Sequence, residues 1–235
     1  MTHDFNQGTQ ANPVTTVLLD VDGTLLDSND AHTQAWKNAL AAFGYHVPYD
    51  RLRPLIGKGG DKLIAEVVGI DDESTQGQQI NDERKLVFSR DFLPGLRPTA
   101  GARALLERLR AEGFQLVVAT SASGDELKSL LRQAGVEDLI PLSASSSDAE
   151  ASKPDPDIVK AALRKAGATA ASALLIGDTP HDIEAARRAG VRTVALRCGG
   201  WWNDGALSAA VGIYDDPADL LRQLAGSPFA TAPRG

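Results

Sequence analysis

The chain has 235 residues, 43% of them hydrophobic, and a formal charge of −7; this predicts a soluble globular protein of one domain with an insertion, or two small ones. The acidic balance argues against a nucleic-acid partner, whose phosphates need basic surfaces, and no apolar stretch is long enough for a membrane helix. Cys198 is the single cysteine, so no internal disulfide is possible; without a basic and apolar leader, the expected location is the cytoplasm.

Residues 1–13 are polar and residues 226–235 are rich in Gly and Pro; both are expected to be flexible termini. The first patterned segment is Val17-Leu18-Leu19, which runs into Asp20-Val21-Asp22-Gly23-Thr24. Such a run fits a buried parallel strand whose carboxyl end carries two acids, and ligand sites in parallel sheets lie at that end. Side chains alternate along a strand, so residues two apart can face one small volume. Two carboxylates that close repel, and a hard divalent cation such as Mg²⁺ relieves the repulsion.

After these acids the pattern turns helical. Ser28 or Asn29 can cap a helix carrying Ala31, Ala35, Trp36, Ala39, Leu40 and Phe43, with Gly44 closing it. A second helical stretch follows Gly59-Gly60, with Leu63, Ile64, Val67 and Val68 at helix spacing, and a third is expected from about Ile80 to Phe92. This is far more chain than an ordinary strand-to-helix connection. It predicts a helical insertion over 28–95 in an α/β core formed by 14–27 and 96–225.

From Pro98 onward strands and helices alternate. Thr99 can cap a helix, Phe114 to Ala119 reads as a strand, and a helix over 125–134 precedes a strand over 139–142. A helix over 156–166 with Asp155 as cap, a strand Ala173 to Ile176, a helix over 180–189, strands Val191 to Leu196 and Val211 to Tyr214, and a helix after Pro217 complete the pattern. Alternation of this kind predicts a Rossmann-like parallel sheet with helices on both faces.

Polar residues gather at the expected strand ends. Thr120-Ser121-Ala122-Ser123 offers hydroxyls before a helix start, where a phosphate oxygen could sit or where they could simply cap. Lys153 lies in a loop pinned by Pro154 and Pro156, where a lysine by itself is more often solvated. Leu174-Leu175-Ile176-Gly177-Asp178-Thr179-Pro180-His181-Asp182 reads as strand, acid and helix start, with Thr179 and Asp182 at capping-box spacing.

Taken in order, these segments resemble the four motifs of the haloacid dehalogenase superfamily, in its phosphoglycolate phosphatase and β-phosphoglucomutase-like subfamily with a helical cap. The resemblance covers Val14 to about Leu224. It implies phosphoryl transfer through an aspartyl-phosphate, with Asp20 as nucleophile, Asp22 as general acid and base, and Ser121 (Thr120 as the alternative) and Lys153 holding phosphoryl oxygens. It also implies a Mg²⁺ site of Asp20, the Asp22 backbone carbonyl, Asp178 and Asp182, the last either direct or through the outer ligand layer. Substrate contacts are implied at Gly23, Thr24, His32, Gly57, Lys58 and Ala122. His32 and Trp36 follow Asp20 at the distances of a His and a Trp of the β-phosphoglucomutases, although Trp36 also reads as core; Ile56 to Asp61 looks like the cap specificity loop, with Lys58 facing an anionic leaving group. Where those mutases carry an arginine for a second phosphate this chain has Gly60, which favours hydrolysis; Arg84 and Lys85 are candidate replacements. Trp201 and Trp202 can pack on the core or line the cap interface. The expectation is a Mg²⁺-dependent phosphatase of small phosphorylated metabolites, phosphoglycolate or sugar phosphates, acting as monomer or dimer. The alternatives are a β-phosphoglucomutase-like mutase and a non-catalytic binding protein on the same scaffold.

Overall fold

The computed structural model describes residues 13–231; the expectations for residues 1–12 and 232–235 lie outside them. Six strands, β1 (Thr16–Leu19), β2 (Gln115–Ala119), β3 (Leu142–Ala144), β4 (Ala173–Gly177), β5 (Arg192–Leu196) and β6 (Gly212–Tyr214), form one parallel sheet in the order β3-β2-β1-β4-β5-β6. The central strand β1 pairs Leu19 with Val118 of β2 and with Ile176 of β4. From β1 the chain steps outward to β2 and β3 and then crosses back to β4 on the other side, a reversal of strand order that opens a crevice at the carboxyl ends of the strands. Asp20, Thr120 and Asp178 emerge there together.

The period of two along β1 sorts its side chains between two buried layers. Val17 and Leu19 join the layer formed with α5 (Ala102–Ala111), α6 (Gly124–Gln133) and α10 (Pro217–Arg222), whereas Leu18 packs under α7 (Asp157–Ala166) and α8 (Pro180–Arg188). A fully buried Leu contributes roughly 1.5–3 kcal/mol, and the three β1 residues are all fully buried. Among the described residues no helix is long and apolar enough to cross a membrane.

Between β1 and α5 the chain forms α1 (Asn29–Ala42), α2 (Tyr49–Leu52), α3 (Gly60–Val68) and α4 (Thr75–Val87), the last continuing as a π turn over Phe88–Phe92. This segment has an apolar cluster of its own, including Trp36, Leu40, Leu52, Leu63, Ile64 and Ile80. The two stretches joining it to the sheet run side by side: the Asp27 amide donates to the Arg97 carbonyl (3.0 Å) and the Thr99 hydroxyl to the Thr24 carbonyl (2.7 Å). Ala35, Val87 and Phe88 nevertheless belong to the main core layer, so the segment is seated on the sheet domain.

Several expected boundaries and caps move. The third helix begins at Thr75, because the Ser74 hydroxyl accepts from the Gly77 amide. The strand expected at 139–142 lies at Leu142–Ala144; a 3₁₀ turn over Glu137–Leu139 buries Leu139 first, and Leu142 then pairs with Val117. Thr99 does not cap α5, whose N-cap is Gly101, and the Asp155 carboxylate pairs with Lys62 and Arg188 instead of capping α7. The C-terminal stretch is not loose where it is described. Leu224–Gly226 and Pro228–Thr231 form 3₁₀ turns, and the buried Phe229 meets Phe114 edge to face at 5.7 Å.

Truncating Phe229 to Ala is therefore expected to cost about 3 kcal/mol or more in a denaturant melt; a loss under about 1 kcal/mol would place this ring outside the core.

Candidate active site

The site begins where β1 stops. The Asp20 amide donates to the Ile176 carbonyl (3.0 Å), which extends the sheet pairing by one residue and fixes the acid at the crevice. Lys153 is 1% exposed, so it is not the solvated lysine its loop suggests. Its ammonium donates to Asp20 Oδ1 and to Asp182 Oδ1, each at 2.6 Å. Asp182 also completes the capping box: its Oδ2 accepts from the Thr179 amide (3.1 Å) and hydroxyl (2.6 Å). The capping role read from the sequence is thus kept by one oxygen of this carboxylate, while the other takes Lys153 as a charge partner that the sequence did not indicate.

Asp178 is held from three sides. The Asn29 amide nitrogen donates to its Oδ2 at 2.7 Å and the Thr24 hydroxyl to its Oδ1 at 3.3 Å. On the third side Gly199 leaves no room for a side chain: a Cβ there would lie 1.9 Å from Asp178 Oδ2. Gly23 and Thr24 therefore support Asp178 in this structure, and neither lines the chamber described below.

Asp20, Asp178 and Asp182 each offer an oxygen within 4.8 Å of the others', and all three residues are buried. Burial pushes the Asp20 carboxyl up to about 7; Lys153 opposes the shift, and the Asp182 and Asp22 charges reinforce it. Burial, followed by the Asp182 and Asp20 charges, likewise raises Asp178 well above the usual carboxylate range. Burial alone would lower Lys153, yet Asp182 and Asp20 outweigh it and the ammonium is held more firmly than in water. One cation thus faces three buried acids. Such under-neutralised oxygen donors fit a hard divalent ion, which would restore the charged form of both raised carboxyls.

Asp22 has a different environment. Ser28 Oγ donates to its Oδ1 at 2.5 Å, and His32 Nε2 lies 2.9 Å from the same oxygen. Burial would raise this carboxyl, but His32, Ser28 and the more distant Arg84 outweigh it and hold it below the ordinary range. The His32 ring stacks on Phe88 at 3.9 Å, so its orientation is set by packing. Ser28 and Asn29, read from sequence as helix caps, are spent on Asp22 and Asp178. Their role was hidden because α1 starts inside the crevice.

A chamber of about 70 Å³ lies over these acids, lined by Asp20, Asp22, His32, Trp36, Gly57, Lys58, Arg84, Ser121, Ala122 and Glu126 among others. Ser121 Oγ is buried in it without a partner among the described residues, whereas Thr120 Oγ1 accepts from the Ala122 amide at 3.1 Å, leaving Ser121 as the available hydroxyl. Gly57 has φ of +101° and a Cβ there would lie 2.9 Å from Thr179 Oγ1, so only glycine lets this loop close over the crevice. Trp36 is both core and chamber wall. Arg84 and Glu126, paired across the chamber, were not both legible: Arg84 was a candidate for phosphate, but Glu126 sits in an ordinary amphipathic helix pattern. Lys58 reaches Glu66 at 2.5 Å.

The remaining tryptophans divide. Trp202 packs against the small cluster of Ile183, Ala195 and Leu207 and meets His181 edge to face, whereas Trp201 is 40% exposed with the Arg53 guanidinium over its ring at 5.8 Å. Arg53 also donates to the Gly199 carbonyl, tying the helical segment to the loop behind Asp178.

Residues 17–196 match the family model of haloacid dehalogenase-like hydrolases. The chain belongs to that family. Among its relatives, a phosphoglycolate phosphatase of Rhodospirillum rubrum is 32% identical over 87% of this chain and 88% of its own. A phosphorylated carbohydrates phosphatase of Thermotoga maritima is 25% identical over 76% of this chain and 82% of its own. Among solved structures, a hydrolase from Pseudomonas syringae is 32% identical and superposes with a TM-score of 0.84, covering 90% of this chain and 98% of its own. This dehalogenase-like hydrolase is thus similar in sequence to two phosphatases and in fold to a solved hydrolase.

Because Asp178 is fixed by Asn29, Thr24 and the bare backbone of Gly199, the acid cluster should be preorganised for a cation. Mg²⁺ at about 100 times its Kd is expected to stabilise the protein by roughly 2.7 kcal/mol, read as a rise in Tm. Asp178→Asn should abolish the rise; an undiminished rise in that variant would remove Asp178 from the metal site.

Proposed function

We propose that this hydrolase is a Mg²⁺-dependent phosphatase of small phosphorylated metabolites, in the range of phosphoglycolate and sugar phosphates, working through an aspartyl-phosphate. The observation that carries the reading is Asp20, locked at the crevice with one oxygen on Lys153 and the other unengaged, beside a buried acid cluster and the free Ser121 hydroxyl. The names of the relatives, phosphoglycolate phosphatase and phosphorylated carbohydrates phosphatase, point to the same class of substrate.

Asp20, Asp178, the Asp22 backbone carbonyl and Asp182, the last directly or through water, would hold the metal. When bound, the ion neutralises the phosphoryl oxygens and keeps the acid cluster ionised. Asp20 Oδ2 attacks phosphorus, an O–P bond forms to Asp20, and the ester O–P bond breaks. Lys153 and Ser121 hold the equatorial oxygens on which charge accumulates, so positioning and fixed positive charge lower the barrier. The leaving alkoxide takes a proton from Asp22. Water then attacks the aspartyl-phosphate and gives its proton to Asp22.

The environment of Asp22 suits the second half of this cycle as it stands, since Ser28 and His32 favour the carboxylate. In the first half Asp22 acts with the proton that the attacking water left on it in the preceding turnover, and His32 Nε2 orients it along their 2.9 Å contact. His32 is thereby the positioning residue for the acid and base. The helical segment 28–95, seated over the crevice and joined to it by paired linkers, acts as the cap that excludes water and chooses the leaving group.

A mutase reading has less support: holding two phosphates in alternation needs a free cation at the far end of the chamber, and Lys58 and Arg84 are matched by Glu66 and Glu126. The test is phosphate release from p-nitrophenyl phosphate. Asp20→Asn should lower it by about 10³-fold or more with an unchanged circular-dichroism spectrum, and activity near wild type would exclude Asp20 as nucleophile. Chelation of divalent metal should stop turnover reversibly; turnover unaffected by chelator would remove the metal from the reaction.

A further inference from the structure

At the end of the chamber away from Asp20 stands an ion pair between the two parts of the molecule. Arg84 of α4 donates through both terminal nitrogens to Glu126 of α6, and the two side chains are 11% and 12% exposed. The guanidinium lies over the Trp36 ring at 5.4 Å. Stacking and bidentate pairing fix its plane. Its third nitrogen, Nε, is buried and has no acceptor among the described residues. Burying such a donor unpaired costs free energy, and Arg84 lines the chamber, so this N–H is a vacant position for an oxygen of a bound molecule.

The charge of the pair decides which oxygen. Each cation at the chamber already has an acid: Lys153 has Asp20 and Asp182, Lys58 has Glu66, and Arg84 has Glu126. Beyond the pair the chamber meets an outer cleft of about 620 Å³ whose walls include Asp61, Asp72, Glu73, Asp82 and Glu150 against Lys85, which is itself paired with Asp82 at 3.7 Å. A leaving group with its own carboxylate or phosphate would approach along an acidic wall and meet Glu126 with no free positive charge to receive it. A hydroxyl meets no such penalty. It accepts from Arg84 Nε and can donate to a neighbouring carboxylate.

We propose that the Arg84–Glu126 pair selects phosphate monoesters whose leaving group is an uncharged polyol or sugar, and discriminates against those carrying a second anion. This rests on the phosphatase reading and narrows its substrate range to the sugar-phosphate side, away from phosphoglycolate: Arg84 supplies a neutral-acceptor contact, and Glu126 positions the guanidinium while cancelling its charge. Rejection through an acidic outer wall and a neutralised guanidinium is specificity by opposition to the wrong substrate.

The discriminating substrates are 2-hydroxyethyl phosphate and 2-phosphoglycolate, which differ only in a CH₂OH against a carboxylate, with p-nitrophenyl phosphate as a reference for the chemistry. Wild-type enzyme is expected to show kcat/KM at least about tenfold higher for the neutral ester. Glu126→Gln keeps the shape and frees the positive charge of Arg84. It should raise kcat/KM for phosphoglycolate, chiefly through KM, while lowering it for hydroxyethyl phosphate, an opposite movement that a general loss of structure cannot produce. A wild-type preference for phosphoglycolate, or a Glu126→Gln variant in which both substrates move together, overturns the proposal. Failure of the wild type to release phosphate from the aryl ester would instead sink the phosphatase reading beneath it.

Discussion

The structure turns on one buried ammonium. Lys153 reaches in from the loop before α7 and is shared, at 2.6 Å each, by Asp20 after β1 and Asp182 in the first turn of α8. Removing ions from water is costly, and a buried pair is tolerated only when its hydrogen bonds are well made. Here the tie has a functional return. It pins three chain segments, remote in sequence, at the crevice, and under the proposed phosphatase reading it would supply positive charge that needs no rearrangement during the reaction.

The same tie leaves the acids incompletely balanced. Asp178 has no cation of its own and is held by neutral donors, Asn29 and Thr24, and by the closeness of Gly23 and Gly199. Carboxyls of Asp20 and Asp178 are consequently raised, while Asp22, one turn of chain away and served by Ser28 and His32, is lowered. Two acids separated by one residue thus acquire opposite tendencies from their surroundings, and a cation beside Asp20 would return that carboxyl to its charged form. An assembly of this kind trades stability for reactivity.

The helical segment contributes through contacts that cross to the sheet domain. Lys62 donates to Asp155 and to the Ser152 carbonyl, the Ser152 hydroxyl donates to Asp61 at 2.6 Å, and Arg84 pairs with Glu126. The first of these contacts grip the loop that carries Lys153. The seating of the segment therefore bears directly on the position of the ammonium. Arg53, bonded to the Gly199 carbonyl beside Trp201, does the equivalent on the Asp178 side.

By itself the sequence determined the alternation of strands and helices, the long helical interruption after the first strand, and the acids and lysine at the strand ends. These are written in local period and composition, which one short segment displays without reference to any other. It did not determine that Lys153 is buried, that Ser28 and Asn29 serve Asp22 and Asp178 in place of capping, that Asp182 divides its oxygens between a cap and a cation, or that Phe229 closes the core. Nor did it pair Arg84 with Glu126, 42 positions apart. Each of these is a choice among partners of equal chemical merit, and only the packing of the sheet, the layers on it and the segment above it brings one candidate within hydrogen-bonding distance and leaves the others out.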